Sequence, residues 1–184
     1  DADAMTISTN YRTDVALVAD AKLGLADLNE AVRARLAHRP KDALDGRALA
    51  GKARATKLDD FAKLAASTDR PIKPERVVDS LNRHLPAGAI VVADPGTPCP
   101  YFAAFFDQPQ AGRHFITNRA HGALGFAMSA GVGAWFGRPE ATVVAAMGDG
   151  SFNFTCGELE TIVRRKVPLK MIVFSNTVYG WIKA

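Results

Sequence analysis

The sequence predicts an α/β fold in which a parallel sheet lies between two layers of helices. Three short segments are apolar along their whole length and alternate with helical patterns: 89–93, 142–146 and 171–174. Strands of this kind are typical of parallel sheets that helices cover on both faces. Because open sheets of this class bind ligands beyond the carboxyl ends of their strands, the residues directly after each segment are the candidates for a functional site.

The first 37 residues form a tail that is too small to fold alone. We predict an extended segment at 5–7, a second apolar stretch at 15–18 and a helix at 21–36, where leucines recur at helical spacing. Residues 38–70 are interpreted as a helical linker, because proline and glycines separate charged helical turns there and no strand pattern occurs.

The alternating pattern belongs to the larger region 71–184. Pro74 opens a helix that stops at the turn 86–88, ahead of the first strand. The later strands are separated by a Gly- and Ala-rich helix at 122–136 and by a helix at about 154–165. Because the chain starts without a Met and stops just after a Tyr-Gly turn, we expect a fragment of a longer polypeptide, with this domain truncated at its C-terminus.

Composition narrows the class of protein. The net charge of +4 arises mostly from a basic stretch at 33–57, which lacks the interleaved aromatic residues typical of nucleic-acid binding and is interpreted as a solvated helix and linker. No long apolar run predicts a membrane span. Cys99 and Cys156 are isolated, so neither a disulfide nor a zinc site is expected, and a reducing cytoplasm is the predicted compartment.

The strongest chemical signal follows the second strand, where residues 148–151 read Gly-Asp-Gly-Ser before a helix. Glycines permit a tight turn, and the exposed N–H groups of a helix start can face an anion such as a diphosphate. The carboxylate of Asp149 would repel a phosphate unless a cation lay between them, and Mg²⁺ prefers oxygen ligands and substrate phosphates. If the next strand is a neighbour in the sheet, Asn176 at its end would supply a second oxygen ligand, and the main-chain carbonyl of Val178 a third.

Taken alone, Gly-Asp-Gly is also a common tight turn. Followed by an amphipathic helix and a strand that ends in Asn176, it resembles the thiamine-diphosphate binding motif of the acetolactate synthase and pyruvate decarboxylase superfamily. Residues 122–126 and 131–134 are similar to the family's Gly-x-Met-Gly-Phe segment, and 151–155 resemble acetolactate synthases in particular. The resemblance implies a thiamine-diphosphate-binding fold for 71–184, with the first 37 residues as the C-terminal tail of a middle α/β domain.

The resemblance also implies roles for individual residues. The implied Mg²⁺ ligands are Asp149, Asn176 and the Val178 carbonyl. The residues implied to bind the cofactor are Gly96, Thr97, Gly122, Leu124, Gly148, Gly150 and Ser151. Among these, the Gly122 carbonyl and the Leu124 N–H would bind the aminopyrimidine edge, and the Leu124 side chain would hold the cofactor in its bent shape.

In activity, the resemblance implies a carboligase or decarboxylase that acts on 2-oxo acids, hence a transferase or lyase, working as a homo-oligomeric dimer or tetramer. The glutamate that activates the cofactor belongs to an earlier domain, so no catalytic residue is expected in this chain and the isolated chain is predicted to be inactive. FAD could occupy the middle domain.

The alternative function is that of a non-catalytic or regulatory homologue that binds cofactor or partner subunits without turnover. A Mg²⁺-dependent nucleotide binder is disfavoured because no phosphate-binding Gly-Lys-Ser/Thr loop follows a strand.

Some positions depart from the family pattern or allow two interpretations. Pro98 follows Thr97 where a Gln-His pair is common, and proline has no N–H to donate to a phosphate. His121 could contact substrate or pack at a helix start, and we favour packing, as for His114. Cys156 near a helix start could be reactive, but a small apolar filler is the favoured interpretation.

Overall fold

The computed structural model describes residues 1–36, 38 and 45–183. They divide into two compact units, 1–52 and 53–184. The predicted linker overlaps the stretch 39–44, which lies outside the described residues. The domain boundaries predicted at residues 38 and 71 remain predictions.

The first unit holds a 3-10 helix at Ala4–Thr6, the helix α1 (Ala21–Leu36) and the start of α2 (Gly46–Ala65). The extended segment predicted at 5–7 is wrong, because the Asp3 carboxylate accepts a hydrogen bond from the Met5 N–H at 2.9 Å and caps a helical turn instead. The helix predicted at 21–36 is confirmed with the same bounds.

The second unit continues from α2 through the remaining helices and the strands of the sheet. In chain order these are α3 (Pro74–His84), β1 (Ile90–Ala93), α4 (Pro98–Phe105), β2 (Phe115–Thr117), α5 (Phe126–Gly137), β3 (Val143–Gly148), α6 (Asp149–Thr155), α7 (Glu158–Arg164), β4 (Lys170–Phe174) and α8 (Gly180–Lys183). The strands lie in the order β2-β1-β3-β4, and every neighbouring pair is parallel. The predicted fold class, a parallel sheet with flanking helices, is therefore confirmed.

Two apolar clusters cover the two faces of the sheet. On one face, side chains of α3 and α4 pack with Val91 and Val144. On the other, side chains of α5 and α7 pack with Val92 and Ala145. The central strands β1 and β3 are buried almost throughout, as their continuous apolar sequences predict. The expectation that every strand is buried on both faces is wrong for the edge strand β4, since the side chains of Met171 and Val173 are 37% and 42% exposed.

Helix boundaries differ from the prediction in two places. The helix predicted to start at 122 starts at Phe126, because Gly122 and Gly125 both adopt positive φ angles, 64° and 87°, that a right-handed helix cannot include. The single helix predicted at about 154–165 is two helices, α6 and α7, and α6 begins directly after β3 at Asp149. The helix α4 and the three-residue strand β2 were not predicted. Within the described residues, no helix is long and apolar enough to span a bilayer.

Candidate functional site

A cavity of about 230 Å³ lies at the carboxyl edge of the sheet. Its walls come from the segments that follow β1, β3 and β4 and from the loop before α5. The lining includes all ten residues that the sequence singled out: Gly96, Thr97, Gly122, Leu124, Gly148, Asp149, Gly150, Ser151, Asn176 and Val178. Four segments that are distant in the chain therefore converge on one space, as ligand sites of open α/β sheets do.

Asp149 lies where β3 passes into α6. The pairing of Gly148 with Phe174 places the ends of β3 and β4 side by side, so Asp149 faces the segment that contains Asn176. One carboxylate oxygen, Oδ2, accepts a hydrogen bond from the Thr177 N–H at 2.8 Å. This contact ties together the two strand ends that carry the candidate metal ligands.

The turn after β4 presents further oxygen atoms. The side-chain oxygen of Asn176 accepts a hydrogen bond from the Val178 N–H at 3.1 Å, which is a local Asx turn. Thr177, between them, has a φ of 57°, a left-handed conformation that bends the chain sharply. Carboxylate, amide and carbonyl oxygens are hard donors that suit Mg²⁺. Over the described part of the chain, no group of three or more His, Cys, Asp and Glu side chains forms a metal site of another kind.

Gly150 allows a close approach between the first turn of α6 and the segment after β4. A Cβ atom at this position would overlap Cε1 of the Tyr179 ring, which also lines the cavity. Next to it, the side chain of Ser151 is buried. The amide groups at the start of α6 have no partners within the helix, so this wall can receive a negatively charged group.

The loop after β1 forms another part of the cavity wall. The carbonyl oxygen of Pro95 accepts a hydrogen bond from Nη1 of Arg119 at 3.0 Å, which links this loop to the segment before α5. Pro98 occupies the first turn of α4, where a missing N–H costs no helical hydrogen bond. The proline therefore starts a helix here, and Gly96 and Thr97 are the residues of this loop that border the cavity together with Pro95.

The loop before α5 depends on glycine. Gly125 has a φ of 87°, and a Cβ atom there would lie 2.8 Å from Cγ2 of Thr155 and 2.9 Å from Cβ of Phe154. The Thr155 hydroxyl also donates a hydrogen bond to the Gly125 carbonyl at 3.1 Å. This packing holds the loop, including Leu124 in the cavity wall, against α6.

Asp94 directly follows β1, as Asp149 follows β3, but the sequence analysis assigned it no binding or metal role. Its side chain is fully buried, and Oδ1 accepts a hydrogen bond from the Ala127 N–H at 3.0 Å. Burial raises the pKa of this carboxyl group above its ordinary value, while the N–H groups of Ala127, Gly125 and Phe126 and the nearby Ser151 hydroxyl act in the opposite direction. Its place directly after an apolar strand made it a candidate position, but local sequence does not show that its side chain is buried against α5.

Other candidates lie outside the cavity lining. His121 is exposed, and its backbone N–H donates a hydrogen bond to Oδ1 of Asn118 at 3.4 Å. His114 is buried, with Nδ1 3.2 Å from the Ala89 carbonyl oxygen. Cys156 is exposed, so its interpretation as an apolar filler is wrong. The lining residues to which sequence reasoning gave no role are Pro95, Phe174, Tyr179, Gly180 and Ile182.

The chain is similar in sequence to known proteins. Residues 94–184 match the family described as thiamine pyrophosphate enzyme, C-terminal TPP binding domain; thiamine pyrophosphate and thiamine diphosphate are the same cofactor. The acetolactate synthase of Mycobacterium avium is 31% identical over all of this chain and 29% of its own length. The large subunit of acetolactate synthase isozyme 3 of Escherichia coli is 29% identical over all of the chain and 31% of its own length.

A solved structure shares the fold. The thiamine diphosphate-dependent 4-hydroxybenzoylformate decarboxylase of Rhodococcus jostii RHA1 superposes with a TM-score of 0.58 at 25% sequence identity, over 64% of this chain and 22% of the decarboxylase. The chain thus spans about a third or less of the length of the proteins that it matches.

Proposed function

Because this chain belongs to the superfamily of thiamine-diphosphate-dependent enzymes that includes the acetolactate synthases, we propose that it anchors the diphosphate of that cofactor through Mg²⁺. The observation that carries the proposal is the convergence of all ten predicted residues on one cavity at the carboxyl edge of the sheet. A cavity of about 230 Å³ is smaller than the roughly 300–1,000 Å³ of sites that enclose a whole small ligand. A cavity of this size suits part of a cofactor rather than a whole one.

The metal would be held by Asp149, Asn176 and the Val178 carbonyl. Support comes from the contact between Oδ2 of Asp149 and the Thr177 N–H, which already brings the ends of β3 and β4 within hydrogen-bond distance. Asp149 is the only carboxylate among the described residues that line the cavity. A single acidic ligand leaves Mg²⁺ with positive charge to share with a diphosphate.

The diphosphate would lie between the start of α6 and the loop after β1. Gly148, Gly150 and Ser151 offer backbone or hydroxyl donors on one side, and Gly96 and Thr97 on the other. The aminopyrimidine would meet the loop before α5 through backbone groups of Gly122 and Leu124, with the Leu124 side chain beneath the cofactor. Backbone recognition of this kind depends on the loop conformation rather than on particular side chains.

For the whole enzyme we propose a carboligase or decarboxylase that acts on 2-oxo acids, a transferase or lyase of the cytoplasm that works as a homo-oligomer. When bound, the thiazolium ring of the cofactor supplies an electron sink for such chemistry. The residues of this chain bind the diphosphate and orient the cofactor. Among the described lining residues, no Glu or His is available to move a proton.

The anchoring role is tested by calorimetric titration of thiamine diphosphate into the 184-residue chain. With Mg²⁺ present we expect saturable binding, and with EDTA we expect binding weaker by more than about tenfold, because the charge of the diphosphate is no longer balanced beside Asp149. Affinity that is the same in EDTA would remove the metal from the proposal. A folded chain that fails to bind under either condition would contradict the anchoring role.

A second expected result concerns turnover. The chain, supplied with thiamine diphosphate, Mg²⁺ and pyruvate, should release no CO₂ above the level of a protein-free control, because the described residues that line its cavity include no glutamate that could activate the cofactor. The measurement is CO₂ evolution over several hours. Sustained release that Mg²⁺ removal stops would show that the chain supplies its own acid-base group.

Gly150→Ala separates two reasons for a glycine in the first turn of α6. The added methyl group collides with the Tyr179 ring, and it also narrows the space beside the proposed diphosphate. We expect cofactor binding to weaken about tenfold, or ~1.4 kcal/mol, with little change in stability, because a ring at the end of a side chain can move.

The double variant Gly150→Ala/Tyr179→Ala distinguishes the two. If the diphosphate lies against Gly150, removing the ring leaves binding weak. Recovery of the original affinity in the double variant would mean that the glycine serves only the packing of Tyr179.

A further inference from the structure

We infer that Asp94 is a positioning residue that holds the loop before α5 in its place in the cavity wall. The inference rests on the proposed function, since its importance for binding follows from what the cavity holds. Asp94 does not line the cavity itself, but the next residues of the chain, Pro95, Gly96 and Thr97, do. Its carboxylate contacts the start of α5, the helix that follows another segment of the cavity wall.

The position of the carboxylate is set by the centre of the sheet. The Asp94 N–H donates a hydrogen bond to the Ala146 carbonyl at 2.9 Å, which fixes the residue to β3 as well as to its own strand β1. The side chain is fully buried beneath the start of α5. The carboxylate therefore has a fixed position and can accept hydrogen bonds that keep a neighbouring loop in place.

The contact that does this is the hydrogen bond from the Ala127 N–H to Oδ1, at 3.0 Å. Ala127 is in the first turn of α5, where N–H groups have no partner within the helix and where the helix dipole favours a negative charge. The residue before the helix, Gly125, has a left-handed backbone and no side chain that could cap these groups. Asp94 thus caps α5 from another element, 33 residues earlier in the chain.

The helix start that Asp94 caps is continuous with the wall formed by Gly122 and Leu124. Ser151, buried at the other wall, also lies near enough for its hydroxyl to favour the charged carboxylate. Asp94 therefore adjoins three segments of the cavity wall. Its second oxygen, Oδ2, is buried without a hydrogen-bond partner in the described structure, which costs stability. A role in holding the loop explains why a costly group is placed here.

The test uses the variants Asp94→Ala and Asp94→Asn, with Asp107→Ala as a control. Asp107 is exposed and lies beside Pro86 and His114, near the amino ends of β1 and β2, away from the cavity. Asparagine keeps an oxygen that can accept from Ala127, whereas alanine removes it. The two readouts are hydrogen exchange of the peptide that covers 122–128 and the Kd of thiamine diphosphate with Mg²⁺.

We expect Asp94→Ala to raise the exchange rate of this peptide at least tenfold and to weaken cofactor binding at least tenfold. In Asp94→Asn, the exchange rate and the Kd should be close to those of the original chain. In Asp107→Ala, both should be unchanged. Equal exchange of the peptide in the original chain and in Asp94→Ala would overturn the inference, whether or not cofactor binds. Absence of binding by the original chain would instead contradict the proposed function, while the exchange measurement would still decide the role of Asp94. If Asp94→Ala does not fold, the test uses Asp94→Asn alone. This variant keeps the accepting oxygen, so its 122–128 peptide should remain protected. Exchange of that peptide at the rate of an unstructured chain would contradict the capping role of the oxygen.

Discussion

Asp149→Ala is expected to weaken the Mg²⁺-dependent binding of thiamine diphosphate at least about 100-fold, which corresponds to roughly 3 kcal/mol. The substitution removes the only carboxylate among the described lining residues, so the metal would lose its charged protein ligand. It also removes the acceptor of the Thr177 N–H, which loosens the contact between the ends of β3 and β4. Calorimetric titration with Mg²⁺ measures the change.

Two further variants make this result specific. Asp149→Asn keeps an oxygen of similar size without the charge and should bind with intermediate affinity, because Mg²⁺ prefers charged oxygen ligands. Asp107→Ala removes an exposed carboxylate away from the cavity and should bind as the original chain does. Unchanged affinity in a folded Asp149→Ala chain would show that Asp149 is not a ligand of the metal.

Gly125→Ala should lower the free energy of unfolding by about 2–4 kcal/mol. The backbone at this position has a φ of 87°, which disfavours any residue with a Cβ atom, and that atom would lie 2.8 Å from Cγ2 of Thr155. Because Phe154 is also within 2.9 Å of the new atom, α6 or the loop before α5 must move. Urea unfolding followed by circular dichroism measures the loss of stability.

Gly137→Ala is the matched control for this prediction. Gly137 ends the same helix, α5, and a Cβ atom there would meet nothing within 4 Å. The substitution should change the free energy of unfolding by no more than about 1 kcal/mol, since alanine favours a helix and the position is open. Equal losses in the two variants would mean that the left-handed backbone and close packing of Gly125 do not limit stability.

Much of the fold could be predicted because parallel sheets carry strong local signals. Continuous apolar segments marked β1, β3 and β4, and proline marked the start of α3 at Pro74. The strand β2 was missed because three residues are too few for a pattern. The start of α5 was placed too early because composition alone does not show that Gly122 and Gly125 have positive φ angles.

The exposed edge of the sheet shows another limit of local reasoning. Residues 171–174 of β4 are as apolar as those of the central strands, so the sequence predicts burial on both faces. In the structure, Met171 and Val173 of this strand are partly exposed. Burial depends on which elements lie beside a strand, and an apolar segment by itself does not specify its neighbours.

The sequence by itself determined the fold class and predicted the sheet edge that carries the candidate site, because the carboxyl ends of parallel strands lie at one edge. Asp149 and Asn176 could be paired in this way only on the condition that their strands are neighbours, and the pairing of β3 with β4 meets that condition. Only the tertiary structure decided which groups hold that edge together. The contact of Asp94 with Ala127, the packing of Gly125 on Thr155 and the approach of Tyr179 to Gly150 join residues distant in the chain. Such contacts depend on distances of a few ångströms between elements, which no local pattern of residue types encodes.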